Sequence, residues 1–441
     1  SNWPFQAVNS SLHAMILYDR FTLDNGLRLL VMEDASTPLV TINMLYDVGS
    51  RDERPDSTGF AHLFEHLMFG GSVNAPSFDD PIQRAGGECN AFTNSDLTNF
   101  FTTLPASNLE MALFLEADRM SQLILNPTAL SVQREVVIEE FKETCLNQPY
   151  GDMWHKLAPL AYTAHPYRWP TIGATLSHIE QAQLEDVDAF YNSFYGPNNA
   201  ILVLAGNVTA RQALDLVLAE FGHIRARPRP ERDLVPEPPQ TKSRRVEVRA
   251  PVPADALYMA FHMGSRTDPG YYAEDLLSDV LAHGKSSRLY AALVKDRPLC
   301  SHIDAYITGT IDPGLLIIEA NPADGVSLAD IEAAIWEEIA VVQSQPVGDR
   351  ELQRHQNKIE SSILFANTSA LNRAMNLAYF ELIAEPQLIN SEHQKYQSVE
   401  PEQIRQAANR ILTPDNCSIL TYESQQAGDH PLSALEQQAS A

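Results

Sequence analysis

The chain has 441 residues, 44% of them hydrophobic, and carries 57 acidic against 31 basic side chains, a net charge of −26. That length holds roughly two to four domains with a sizeable core, and the apolar content excludes wholesale disorder. The charge repels nucleic acid and anionic membranes and suits cationic partners, although acidic surfaces also arise simply for solubility.

At the N-terminus, "SNWPFQAVNSSLHA" lacks the basic and apolar regions of a signal peptide, and Met15 reads as a native start. No apolar run in the chain approaches the ~18 residues a membrane span needs. The stretch 21–34, "FTLDNGLRLLVMED", reads as a hairpin turning at Asp24, Asn25 and Gly26. "VTINMLYDVGSRDE" (40–53) is an alternating strand ending at Gly49, Ser50 and Arg51, and "AHLFEHLMFG" (61–70) follows as an apolar helix. "LTNFFTTLP" (97–105) is another alternating strand, and helical periodicity marks 107–123, 131–145, 184–194, 327–343 and 349–365. The densest breaker segment, "RARPRPERDLVPEPPQTKSRR" (225–245), reads as an extended linker between two nearly equal halves. Cys89, Cys145, Cys300 and Cys417 stand far apart with no CxxC, which indicates neither a disulfide framework nor a thiolate zinc site and points to a reducing compartment. The expected location is cytoplasmic, or periplasmic had a signal peptide been removed.

The two halves repeat each other. "ALYMAFHMGSRTDP" (256–269) ends in the same Gly-Ser-Arg as 40–53, "DLLSDVLAHG" (275–284) lines up with 61–70, and "LTPDNCSILT" (412–421) with "YGPNNAILVL" (195–204). The offset is 215 residues between Gly49 and Gly264 and 217 between Asn199 and Asn416, so the chain is a tandem duplication. The expected fold is α+β: two tandem homologous domains, each a mostly antiparallel sheet covered by helices on one side. Their bounds are 1–224, a linker at 225–245, and 246–441.

Within the first apolar helix, "HLFEH" places His62 and His66 one turn apart on the same face. Two imidazoles at that spacing can share a tetrahedral zinc ion, whose nitrogen ligands sit ~2.0–2.1 Å away. Glu65 borders the same face and is placed to contact a water on the metal. The duplicated helix acts as an internal control: His62 aligns with Leu276, His66 with Val280 and Glu65 with Asp279, so the fold accepts apolar residues at both histidine positions. Zinc needs a third protein ligand. In "SVQREVVIEEFKETC", Glu139 neighbours Glu135, Lys142 and Glu143 on a charged stripe, whereas Glu140 has Val136 and Val137 one turn back. A carboxylate aimed at an apolar side needs a cation, which makes Glu140 the better ligand.

H-x-x-E-H followed by a glutamate 74 residues after the second histidine resembles the inverted zincins, the pitrilysin, insulinase and mitochondrial-processing-peptidase family of metallopeptidases. "GGECNAFTNSDLTNFF" (86–101), "PYGDMWHKLAPLAYTAHPYRWPTIG" and "YGPNNAILVLAGNV" extend the resemblance over essentially the whole chain, as a half-length subunit of bacterial type. It implies a zinc endopeptidase in which His62, His66 and Glu140 hold one zinc per chain and Glu65 is the general base. It also implies that Asn90, Ala91, Phe92 and Thr93 form the edge strand that binds an unfolded peptide substrate inside a two-domain chamber. The alternative is a non-catalytic scaffold subunit of a related complex, a class that normally loses the zinc motif retained here.

One departure stands out. Many relatives place an arginine and a tyrosine in the opposing domain, roughly as "LRExxGLAYSV", where they bind substrate and oxyanion. Here "LVKDRPLCSHIDAY" (293–306) has Lys295 and Ser301 at those positions, with Arg297 and Tyr306 out of register. Lysine lacks the planar fork of arginine and serine is too short to replace a phenol. The expected partner is therefore a homologous subunit carrying the arginine–tyrosine pair, in a heterodimer. The alternative is a homodimer in which Lys295, or a shifted Arg297 and Tyr306, serves instead.

Overall fold

The computed structural model describes residues 15–425, so the N-terminal stretch read above for a signal peptide lies outside the described residues. The first sheet comprises β1 (Asp19–Thr22), β2 (Arg28–Glu33), β3 (Leu39–Tyr46), β4 (Glu88–Thr93), β5 (Thr98–Pro105) and β6 (Ala200–Gly206), in the order β1-β2-β6-β3-β5-β4. The second comprises β7 (Arg244–Ala250), β8 (Ala256–His262), β9 (Cys300–Ile307), β10 (Leu315–Pro322) and β11 (Cys417–Ser424), in the order β7-β11-β8-β10-β9. Without β1 the two orders are the same. In each, the last strand of the half inserts between the first two, parallel to one and antiparallel to the other. The duplication legible in the sequence is thus a duplication of topology.

Local chemistry accounts for the element boundaries. The predicted hairpin is β1 and β2, turned by Gly26 at a left-handed φ of +88°, where a Cβ would lie 2.9 Å from that of Asn198. The helix predicted at 131–145 begins earlier, as Pro127–Phe141, and continues as a π turn through Leu146. Asn126 caps it by accepting the Ala129 N–H at 2.9 Å, and Pro127 at the first helical position needs no partner for its nitrogen. That start signal carries no apolar periodicity, so period counting passes over it.

Each half covers one face of its sheet with its own helices. The other face is covered from the opposite half. Helix Ala370–Leu382 sets Ala374, Leu377 and Ala378 against Leu30, Leu45, Ile201, Val203 and Ala205 of the first sheet. Reciprocally, helix Met153–Ala161 sets Leu157 and Ala161, with Tyr162 just beyond its end, against Ala260, Ile317 and Leu420 of the second. Burial on both faces explains why β6 reads "AILVLAG", a continuous apolar run rather than an alternating one.

Polar contacts reinforce the exchange. Arg20 on β1 forks onto Glu381 of helix Ala370–Leu382 at 2.8 and 3.0 Å. Arg51, just past β3, pairs with Asp96 at 3.2 Å and with Asp312 of the other half at 2.8 Å, while Tyr167 bridges Asp96 and the Asp312 N–H. The proline-rich connection between the halves has no helix or strand from 222 to 243, yet it is strapped down. Arg229 and Arg232 pair with Asp47 and Asp52 at 2.6 and 2.7 Å, and Glu237 accepts three backbone N–H groups from residues 163–165 at 2.8–3.0 Å. β7 opens at Arg244 and so takes the last two residues of the linker read from sequence. As an exposed-alternating edge strand it tolerates arginines, and Arg245 pairs outward with Glu332 at 2.7 Å.

Leu377→Ala should cost about 2–5 kcal/mol, as for other fully buried leucines. Because Leu377 packs on the opposite half, hydrogen exchange should accelerate in β3 and β6. Acceleration confined to residues 246–425 would contradict the exchanged packing.

Candidate metal centre

The helix Phe60–Phe69 is ten residues long and buried nearly all round. Ala61, Leu63, Phe64, Leu67 and Met68 lie in the core, and Phe64 stacks on Phe190 and Tyr195 with ring centroids 5.4 and 5.0 Å apart. His62, Glu65, His66 and Phe69 form the remaining stripe, spaced i, i+3, i+4, i+7, and are only partly buried. The titratable residues therefore occupy the one open stripe of an otherwise enclosed helix, not its apolar side.

Helix Pro127–Phe141 packs across this stripe and delivers Glu140. His62 Nε2 and His66 Nε2 are 3.4 Å apart; Glu140 Oε1 is 3.6 Å from the former and Oε2 3.3 Å from the latter. Ligands of a tetrahedral ion with bonds of ~2.0–2.1 Å stand ~3.3–3.4 Å from one another, so the triangle fits a single zinc-sized ion. It is the one His/Cys/Asp/Glu cluster among the described residues with donor atoms all within 4.8 Å. Electrostatics agree with that use. Burial holds His62 below the usual histidine range and hence neutral, while contact with His66 holds Glu140 below the usual carboxylate range and hence charged. At the aligned positions of the second half, Leu276 and Val280 are fully buried.

Only part of the apolar side expected behind Glu140 is buried. Val137 is fully buried, but Val136 is 45% exposed, and Glu140 itself is half-exposed beside the histidines. What distinguishes it from Glu139 is direction: Glu139 points to solvent and pairs with Lys142 at 2.7 Å.

Glu65 accepts a hydrogen bond from Thr93 Oγ1 at 2.7 Å. Thr93 ends β4, the open edge of the first sheet, so this contact ties the edge strand to the helix. Asn90, Ala91 and Phe92 precede Thr93 along that edge, with Phe92 40% exposed. The residues of the opposing half are engaged elsewhere. Arg297 pairs with Glu337 and Glu338 at 2.8 and 3.0 Å, Tyr306 donates to Glu319 at 3.4 Å, Ser301 donates to backbone carbonyls of Asn321 and Pro322, and Lys295 lies 5.6 Å from the Tyr290 ring.

Two buried residues at the helix ends escape sequence reading. Glu53 accepts the Gly59 and Ala61 N–H groups at 2.9 and 2.8 Å, and burial pushes its carboxyl up to about 8. Arg119 is 1% exposed, forks onto Glu116 at 2.7 and 2.9 Å, lies 3.8 Å over the Phe78 ring, and reaches the Met68 carbonyl at 3.5 Å. A helix that begins at Gly59 without a capping side chain was the available signal for the first.

Comparison with known proteins gives the family and the fold. Residues 28–168 match the family model described as insulinase (peptidase family M16), and residues 181–359 match the one described as peptidase M16 inactive domain. The zinc protease PqqE of Helicobacter pylori is 32% identical over 306 residues, covering 67% of this chain and 68% of that protein. A protein of Arabidopsis thaliana named as a probable mitochondrial-processing peptidase subunit beta is 24% identical over 361 residues, covering 78% of this chain and 66% of that one. The crystal structure of a protease from Helicobacter pylori superposes with a TM-score of 0.87 at 25% identity, covering 93% of this chain and all of that one.

Glu140→Gln should weaken zinc binding at least about tenfold, since an amide oxygen is a poorer donor than a carboxylate. Glu139→Gln should leave it unchanged. Equal metal loss from both variants, measured by competition with a chelator, would refute the choice between them.

Proposed function

The chain belongs to the insulinase (M16) family of peptidases, and from that premise we propose that it is a zinc-dependent endopeptidase. In this reading His62, His66 and Glu140 hold one zinc per chain and Glu65 moves the proton. The observation that carries it is the convergence of two imidazole nitrogens and a carboxylate at 3.3–3.6 Å, with a second carboxylate on the same helical stripe. Zinc supplies a Lewis acid that polarises the scissile carbonyl and brings the pKa of a water to about 7. Glu65 takes the proton of the attacking water and returns it to the leaving amine. Thr93 holds Oε2 of that carboxylate at 2.7 Å, which leaves Oε1 for the proton.

The substrate is an unfolded peptide or short polypeptide. Added to the open edge of β4, it pairs its main chain with the backbone of Asn90, Ala91, Phe92 and Thr93, with little sequence preference. The first half carries the chemistry; the second, whose sheet opens at Arg244, keeps the duplicated fold without the ligands. The scaffold alternative is disfavoured because all four motif residues are present and three converge.

At the two positions where relatives carry arginine and tyrosine, the opposing half has Lys295 and Ser301. Of the homodimer candidates, Arg297 and Tyr306 are already paired with Glu337, Glu338 and Glu319, and Lys295 lies 5.6 Å over the Tyr290 ring. Oxyanion donors are commonly worth a few kcal/mol each, so a homologous partner carrying arginine and tyrosine completes the site. The Arabidopsis relative is itself named as a subunit.

Glu65→Gln should keep the fold and zinc but lower peptide cleavage by about two to four orders of magnitude; parental cleavage by this variant would remove Glu65 from the chemistry. Purified alone, the chain should bind zinc and cleave peptides weakly, with the rate rising when the homologous subunit is added. Full activity from the isolated chain, unaffected by any homologue, would count against the two-chain site.

A further inference from the structure

Gly59 and Gly70 flank the helix Phe60–Phe69, and neither offers a capping side chain. Each end meets a buried ionisable side chain brought from elsewhere in the fold. Glu53 sits at the N-terminus, bonded to the Gly59 and Ala61 N–H groups at 2.9 and 2.8 Å. Arg119 sits at the C-terminus, 3.5 Å from the Met68 carbonyl, a charge–dipole contact rather than a short hydrogen bond. The Arg119 charge matches the negative end of the helix dipole, and the two Glu53 oxygens satisfy N–H groups that the first turn leaves unpaired. Yet burying a carboxylate and a guanidinium is costly, and packing alone would be served as well by apolar side chains.

The duplicated half is the control. Helix Tyr271–Ala282 occupies the equivalent place there; it has buried pairs beside it, Arg410 with Glu274 and Arg266 with Glu392, but among the described residues no carboxylate caps its first N–H groups and no arginine reaches its last carbonyls. Asp268, at the offset of 215 that relates Gly49 to Gly264, turns its carboxylate to the Ser265 N–H at 2.7 Å instead of to the helix. Helix Leu328–Ser344 follows β10 as the helix of Arg119 follows β5, and it buries only Ile331, Ala334, Ile335, Ile339 and Val342. The same fold therefore forms without either charge. What accompanies them in the first half is His62, His66 and Glu140.

We propose that Glu53 and Arg119 are positioning residues of the metal centre, clamping both helix ends so that His62 and His66 keep their separation before an ion arrives. This rests on reading the donor triangle as a zinc site. The leverage is short: Ala61, held by Glu53, directly precedes His62, and Met68 lies two residues past His66. A fraying first turn would carry His62 away with it.

The test compares the parent protein with Glu53→Gln, Arg119→Met and Asp268→Asn. Zinc affinity is read by chelator competition, and thermal midpoints are read with and without zinc. Glu53→Gln should weaken zinc binding about 10- to 100-fold, the usual consequence of losing an outer support, and should shrink the zinc-dependent rise in midpoint. Arg119→Met should do the same less strongly, and Asp268→Asn should change neither. In cleavage assays kcat should fall more than KM rises. If Glu53→Gln does not fold, Glu53→Asp, one methylene shorter, takes its place with the same readings. Parental zinc affinity in these variants, with midpoints lowered equally with and without zinc, would overturn the clamp while leaving the zinc reading intact. A parent that binds no zinc would overturn both.

Discussion

A helix of ten residues, about 15 Å long, has to hold two imidazole nitrogens 3.4 Å apart while nearly every other side chain on it is buried. Short helices fray, and this one carries neither a capping side chain at its start nor acidic residues in its first turn. Its stability comes from what surrounds it: aromatic rings under Phe64, Glu53 at one end and Arg119 at the other. The remaining geometry of the site follows from that fixed stripe. Glu140 approaches from a crossing helix, and Thr93 approaches from the sheet edge.

The duplication separates what the fold requires from what the site requires. Both halves use the same strand order and place a buried helix beside an edge strand. In one half the open stripe carries two histidines; in the other, Leu276 and Val280 sit in the core at the same positions. Nor are the halves independent, since each lends a helix to the far face of the other's sheet. An apolar surface as continuous as β6 would otherwise face water on that side.

The acidic excess is spread over the surface, but the buried charges are few and mostly paired. Arg51 lies among Asp47, Asp96 and Asp312, and Glu381 accepts Arg20 while Arg28 lies 3.7 Å away. Such pairs are poor sources of net stability compared with apolar packing, because desolvation offsets much of the attraction. Their effect here is on register: they join segments far apart in sequence and so favour one arrangement of the two halves. The strapped connection at 227–237 works the same way, turning a proline-rich linker into part of the first half's surface.

The sequence by itself determined the duplication, most element types, and the pairing of His62 with His66, because periodicity and spacing are local quantities that survive without a fold. It also favoured Glu140 over Glu139, although Val136 proved exposed and the deciding contact was Lys142 with Glu139. Only the tertiary structure decided which helices cover which sheet, since an apolar face does not name its partner. The same holds for Glu53 and Arg119. Nothing in "GSRDE" or "LEADRM" says that these charges are buried at the two ends of one helix, because that meeting depends on contacts across 8 and 51 positions of sequence that only packing brings together.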